Sequence, residues 1–322
     1  MKLTVARINE LLAEGLAKLL AQAAEWDFSR EKQSLDTANH VARVFVQEDA
    51  PAAAWPIIRG MLASQNPDGG WGEFSNDNYS AIREAAFCTR NLIRLNRRLK
   101  DPQIASAVER AVAYLLDAQE DEGGWSDPLW GRSDATSIAL SAMMFAHHEG
   151  ILPQRTGPAV DRGIAFVVRT QADDGGWYDP RFKQEQRLSP VAWTAHILPK
   201  VVVHLGDSEQ ARRGLDLMAN AMQTDGAWDG GDVDHTCDST RALILGSLVL
   251  GDDRYRPQFE RGVAWLMAHR NPDGQWPTHP GRASSLLITC DGYDTLQKYR
   301  MYLQERASGL RNGDFVERWD DF

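Results

Sequence analysis

Cysteine is scarce, with only Cys88, Cys237 and Cys290 in 322 residues. Each falls in a segment that reads as helix, and none belongs to a CxxC pair. That excludes a disulfide framework and fits reduced thiols in a cytoplasmic protein. Long apolar runs are also missing, so no transmembrane helix is expected. The N-terminal stretch lacks a signal-peptide core because Glu10 and Glu14 interrupt it. Nor is there an excess of basic charge. The formal net charge is −10, which argues against a nucleic-acid footprint and against an anionic membrane surface.

A chain of this length can bury a sizeable core without a disulfide or metal staple. Ile8, Leu11, Leu12, Leu16, Leu19 and Leu20 fall on one face of an N-terminal helix, as an outer helix packed on the domain requires.

The dominant feature is a repeat. Five segments share one pattern: Gln65–Trp71 (QNPDGGW), Gln119–Trp125 (QEDEGGW), Gln171–Trp177 (QADDGGW), Met222–Trp228 (MQTDGAW) and Arg270–Trp276 (RNPDGQW). Successive tryptophans are 54, 52, 51 and 48 residues apart. In each, a helix ends near the Gln, an Asp-Gly or Gly-Gly turn follows, and a second helix begins after the Trp.

The periodicity predicts first-type helices over 3–22, 51–65, 101–119, 157–171, 207–223 and 254–270. It predicts second-type helices over 33–48, 78–96, 134–149, 188–204, 235–250 and 283–304. The first type mixes charged and apolar residues, which suits an outer ring with one wet face. The second type is apolar on most faces and should be buried as an inner ring. Six of each make an all-α (α/α)6 toroid, with residues 1–322 as a single domain of about six helical hairpins. Gln and Trp are expected to act mainly as staples between repeats.

The Q-x-x-x-G-G-W pattern resembles the QW repeats of the squalene cyclase and protein prenyltransferase superfamily, over about residues 50–305. The likeness implies a toroid and leaves two chemistries to weigh. His235-Thr236-Cys237 looks like the zinc-binding helix of prenyltransferase β subunits. One repeat earlier, however, Pro190 and Ala192 stand where an Asp-x-Cys pair should be. Two of three zinc ligands are therefore missing.

The segment Asp232-Val233-Asp234-His235-Thr236 resembles the D-x-D-D-T signature of class II terpene cyclases, with His235 in place of the last Asp. The resemblance implies that Asp234 is the Brønsted acid that protonates an alkene or epoxide. Such an acid must be protonated when substrate arrives, which burial and nearby carboxylates favour. Asp232 and Asp238 are candidates for that pressure. His235 is placed to hydrogen-bond Asp234 and help reprotonate it. The bland alternative is that Asp232 and Asp234 merely cap the helix.

A carbocation needs a dry cavity with π faces. Tyr79, Trp130, Phe182 and Trp193 are candidate lining residues, Asp238 a candidate substrate contact, and Arg83 a candidate for holding an anionic group. No D-D-x-x-D run occurs, since Asp252–Arg256 fails at its last position. The acid chemistry needs no cofactor, and magnesium enters only for a diphosphate substrate. The expected partner is a small isoprenoid, namely a polyprenyl diphosphate or a prenylated small molecule. Two other functions stay open: a non-catalytic toroid that binds lipid or protein, and a prenyltransferase-like subunit.

Overall fold

The computed structural model describes residues 3–25, 33–178 and 189–308. Among these residues there are twelve α-helices and only isolated β-bridges. The helices are α1 (Val5–Ala24), α2 (Leu35–Gln47), α3 (Trp55–Ala63), α4 (Ile82–Leu99), α5 (Pro102–Asp117) and α6 (Gly131–His148). They continue with α7 (Pro153–Thr170), α8 (Pro190–Leu205), α9 (Glu209–Asn220), α10 (Val233–Leu250), α11 (Arg256–Ala268) and α12 (Leu286–Ser308). No described helix is long and apolar enough to cross a membrane.

The chain forms two compact units, one of residues 18–170 and one of residues 3–17, 171–178 and 189–308. In the first, α2, α4 and α6 lie side by side, with α5 packed on α4 and α7 on α6. In the second, α8, α10 and α12 lie side by side, with α9 on α8 and α11 on α10. Each unit thus alternates a central helix with a flanking one.

Burial separates the two kinds as the sequence predicts. Every residue of α6 from Gly131 to Ala146 is buried. By contrast, α5 buries one stripe, Ile104, Ala107, Val108, Ala111, Val112, Leu115 and Leu116. In α1, Ile8, Leu11, Leu12 and Leu19 are buried, whereas Leu20 is exposed.

The central helices α4 and α12 start later than their apolar patterns suggest. Residues 78–81 are drawn into the preceding turn, where Asn66 Nδ2 donates to Tyr79 O at 2.8 Å and Ala81 N to Trp71 O at 2.8 Å. The helix therefore begins at Ile82. Ser285 N donates to Trp276 O at 2.9 Å in the same way, delaying α12 to Leu286.

The repeat residues tie neighbouring helices together. All five repeat tryptophans are fully buried. The indoles of Trp71, Trp125, Trp228 and Trp276 each donate to the carbonyl ten residues back, at 2.7–2.8 Å. Gln65 Nε2 donates to its own turn at Gly69 O (2.9 Å) and to Ala107 O in α5 (2.8 Å). Gln119 and Gln171 do the same towards α7 and α9. One amide thereby satisfies carbonyls of two repeats, which fixes their spacing.

Candidate active site

The site is built at the N-terminus of α10, in the second unit. Asp232 is its N-cap, with Oδ1 accepting from His235 N at 3.1 Å. Thr236 locks the same turn. Its hydroxyl donates to Asp232 O at 2.7 Å and accepts from Trp228 N at 3.2 Å. The motif's first Asp and its Thr therefore fix where the helix starts and how it abuts the repeat Trp. From the loop before α12, His279 Nε2 reaches within 3.7 Å of Asp232 Oδ2.

Asp234 plays no capping part. It lies on the face of α10 that also carries Asp238 and Arg241, at helical spacings of four and seven residues. Oxygens of Asp234, Asp238 and Asp291 lie within 4.8 Å of one another. Asp291 is buried, while Asp234 and Asp238 keep some contact with solvent. Among the described residues Asp234 has neither a hydrogen-bond nor an ion-pair partner.

Its neighbours are held by charged partners. Asp238 pairs with Arg241 through Oδ1, and Oδ2 is 2.9 Å from His196 Nε2. Arg241 Nη1 also reaches Asp291 Oδ1 at 3.1 Å and Asp294 Oδ2 at 3.2 Å. Lys298 Nζ lies 3.5 Å from Asp294, and Lys200 donates to His196 O at 2.8 Å. Trp193, on α8, meets His196 edge-on, with ring centroids 6.4 Å apart.

This arrangement drives two nearby carboxyls apart. Burial pushes the Asp234 pKa well above the ordinary carboxylate range, and the charges of Asp291 and Asp238 add to the effect. His235 and His196 only partly oppose it. For Asp238 burial also acts upward, but Arg241 and His196 outweigh it and hold the group well below its usual value. The two neighbouring carboxyls are thus shifted in opposite directions, Asp234 towards its protonated form and Asp238 towards its ionised form.

Several expected roles change. His235 does not bond Asp234; its Nδ1 lies 3.0 Å from Asp229 Oδ2, because consecutive side chains on a helix diverge by about 100°. Asp238 has both oxygens committed to protein partners, which removes it as a substrate contact. Tyr79, Trp130 and Arg83 belong to the first unit. Tyr79 is 44% exposed, with its hydroxyl donating to Glu73 at 3.1 Å, so it offers no dry face. One face of Trp130 is already covered by the Arg83 guanidinium, 4.2 Å from the ring centre. Arg83 is buried among Asp36 (3.1 Å), Glu84 (2.7 Å) and Asp134 (2.7 Å), so its charge is spent internally and it holds no external anion. Phe182 lies outside the described residues.

Asp234, Asp238 and Asp291 are also the one group of three ligating side chains within metal-binding reach among the described residues. Arg241 already supplies positive charge to two of them. Cys237, the third residue of the zinc-like triplet, is fully buried, and burial pushes its thiol well above the usual range. It is a poor thiolate ligand as it stands.

No family model matches the chain. Among curated proteins it is similar to drimenyl diphosphate synthase of Streptomyces showdoensis, 27% identical over 251 residues, covering 75% of this chain and 44% of that protein. It is also similar to the squalene–hopene cyclase of Bradyrhizobium diazoefficiens, 22% identical over 296 residues, covering 79% and 43%. The sequence likeness thus runs to a drimenyl diphosphate synthase and to squalene–hopene cyclases. The chain spans less than half the length of these curated relatives.

Among solved structures, the type II terpene cyclase MstE from Scytonema, in complex with geranylgeranyl dihydroxybenzoate, matches over 93% of this chain and 99% of its own, with TM-score 0.64 and 13% identity. A GH76 α-mannanase from Bacteroides thetaiotaomicron matches with TM-score 0.71 at 10% identity, over 94% and 97%. At such identities the structural likeness speaks for the fold alone, and that fold is the all-α (α/α)6 toroid read from the repeats.

Proposed function

We propose that the chain is a class II terpene-cyclase-like enzyme that cyclises an isoprenoid by protonation, with Asp234 as the acid. The observation that carries this reading is the state of Asp234. It is a surrounded, solvent-touched carboxyl with no ion-pair partner among the described residues, next to carboxylates that raise its pKa. A carboxylic acid donates a proton to carbon far more readily than an imidazolium would.

The reaction balances simply. The Asp234 O–H bond breaks, and its proton joins one alkene carbon while the π electrons form the new C–H bond. The cation left on the neighbouring carbon is attacked by a second alkene, closing a ring. Loss of a proton from the last cation restores a double bond, so the product is an isomer of the substrate. Asp234 becomes anionic as the cation forms and then stabilises it. Trp193, beside His196 on α8, is the candidate for the π face such a cation needs.

The substrate class is a polyprenyl diphosphate or a prenylated small molecule. Magnesium has no part in the acid step and enters only by complexing a diphosphate. The purified protein should be incubated with farnesyl and geranylgeranyl diphosphates, squalene and geranylgeranyl dihydroxybenzoate, with and without magnesium. An isomeric cyclic product, lost by at least about a hundredfold in a folded Asp234→Asn variant, is the expected result. Cyclisation that survives Asp234→Asn would overturn the assignment of the acid.

A further inference from the structure

An acid that gives up its proton in each cycle must be recharged, and Asp234 has no described partner that could do so directly. His235, expected from the sequence to help reprotonate Asp234, faces Asp229 instead. Asp229 follows the repeat Trp228 and has a backbone φ of 49°, which is uncommon for a residue other than glycine. That turn aims its carboxylate back at α10, where Oδ2 lies 3.0 Å from His235 Nδ1. Both side chains are largely enclosed, at 11% and 19% exposure. The contact is a charge pair without hydrogen-bond alignment, and Nε2 of His235 has no hydrogen-bond partner among the described residues.

We propose that the His235–Asp229 pair recharges Asp234 between turnovers, with Asp229 as the residue that positions and charges His235. This rests on the cyclase reading above. The imidazolium of His235 releases the proton on Nε2 through intervening solvent to the Asp234 carboxylate. The neutral ring then takes a proton from bulk water, so no other co-reactant is needed. In the D-x-D-H-T segment, the histidine at the fourth position and the aspartate three residues before the first motif Asp thus form one functional unit.

Charge around the ring favours this cycle. Burial disfavours the imidazolium, but Asp229, Asp232 and Asp234 outweigh it and raise the His235 pKa. Asp229 in turn is held below its ordinary value: burial acts upward, and His235 and Ser189 outweigh it. The further charges bearing on this corner are His279 beside Asp232, and Asp238, Asp291 and His196 around Asp234.

Asp229→Asn is the test, because asparagine tolerates positive φ and the substitution removes charge without straining the turn. Two readouts on the full chain decide it: NMR titration of the His235 ring, assigned with His235→Gln, and rates on the probes named above. In the wild type the ring should titrate above the ordinary histidine value of about 6.5. In Asp229→Asn it should titrate about one unit or more lower, and the alkaline limb of the steady-state rate should move down with it. The steady-state rate near pH 7.5 should fall about tenfold, the change expected for one unit of pKa. The first turnover, which uses the proton already on Asp234, should fall much less. An alkaline limb that stays put while the ring titration moves overturns the relay alone, as does an equal loss in both kinetic phases. A wild type that cyclises no probe overturns the cyclase reading, and the relay with it.

Discussion

Arg83 and Glu84 are consecutive in sequence, yet their side chains close on each other, with Arg83 Nη1 donating to Glu84 Oε1 at 2.7 Å. The same guanidinium holds Asp36 and Asp134. Three carboxylates converge on this guanidinium, and His40 lies 3.4 Å from Asp36. Ionising all three sets like charges close together in a buried place. Glu84 is 1% exposed, and its Oε2 has no hydrogen-bond partner among the described residues. Burial accordingly pushes its pKa up to about 8; Arg83 opposes the shift, and Asp36 and Asp134 reinforce it. For Asp36 burial also acts upward, but Arg83 and His40 prevail and the pKa falls.

This makes Glu84 a source of pH-dependent stability. Its folded pKa is raised above the unfolded value, so between about 4.5 and 8 the folded chain binds a proton that the unfolded chain has lost. Stability should decline as pH rises through that window, by up to roughly 1.4 kcal/mol per unit from this group. Glu84→Gln mimics the protonated form and should flatten the slope. Urea unfolding at pH 6 and pH 9 measures this. An unchanged slope in the variant would mean that another group holds the proton.

A second pH effect concerns the acid itself. Asp238 is among the charges that raise the Asp234 pKa. Asp238→Asn should therefore lower that pKa and move the alkaline limb of the first turnover, which uses the proton already on Asp234, to lower pH. It also strips Arg241 and His196 of their shared partner. Arg241 keeps Asp291 and Asp294, so the protein should stay folded. An alkaline limb that rises or stays in place would contradict the electrostatic account of Asp234.

The repeat made the helices legible, because Asp-Gly turns and apolar periodicity are local signals. Asp234 was legible for the same reason, as one of two spaced aspartates before a Thr. Of the groups that bear on its acidity, Asp238 was legible on the same helix, whereas His196 and Asp291 come from separate segments and no short motif announces them. A signal did exist in the repeat period. Arg83 pairs with Asp134, 51 residues on, and Arg241 with Asp291, 50 residues on. An Arg and an Asp one repeat apart on adjacent central helices are placed to meet, which also explains why Arg83 faces inward. Only the expected hydrogen bond from His235 to Asp234 is missing, because the ring turns to Asp229 in the preceding loop.

The staple tryptophans can be tested singly. In Trp125→Phe the carbonyl of Leu115 loses its indole donor, 2.8 Å away in the native chain, inside a fully buried site. An unsatisfied buried acceptor costs about 1–3 kcal/mol, and the missing ring volume adds a cavity penalty. A total loss of about 2–4 kcal/mol in urea unfolding is expected. A loss under about 1 kcal/mol would show that the hydrogen bond is replaced, and the indole would then serve as filler alone.

The turn glycines separate backbone strain from close contact. Gly69 has φ +93°, and a Cβ there would lie 2.6 Å from the carbonyl oxygen of Arg110 in α5. Gly150 has φ +69°, and a Cβ there would meet nothing within 4 Å. Alanine at Gly150 should carry only the conformational cost of positive φ, about 1–2 kcal/mol. Alanine at Gly69 adds a clash with backbone that cannot move without shifting α5, where the Gln65 amide bonds Ala107 O. Its cost should exceed that of Gly150→Ala by about 1 kcal/mol or more, within the range measured for overpacking. Equal losses at the two positions would mean that φ alone selects glycine in the repeat. The larger loss at Gly69 would mean that the Gly of each G-G-W turn is fixed by the helix of the next repeat, so that the motif encodes how repeats pack as well as how the chain turns.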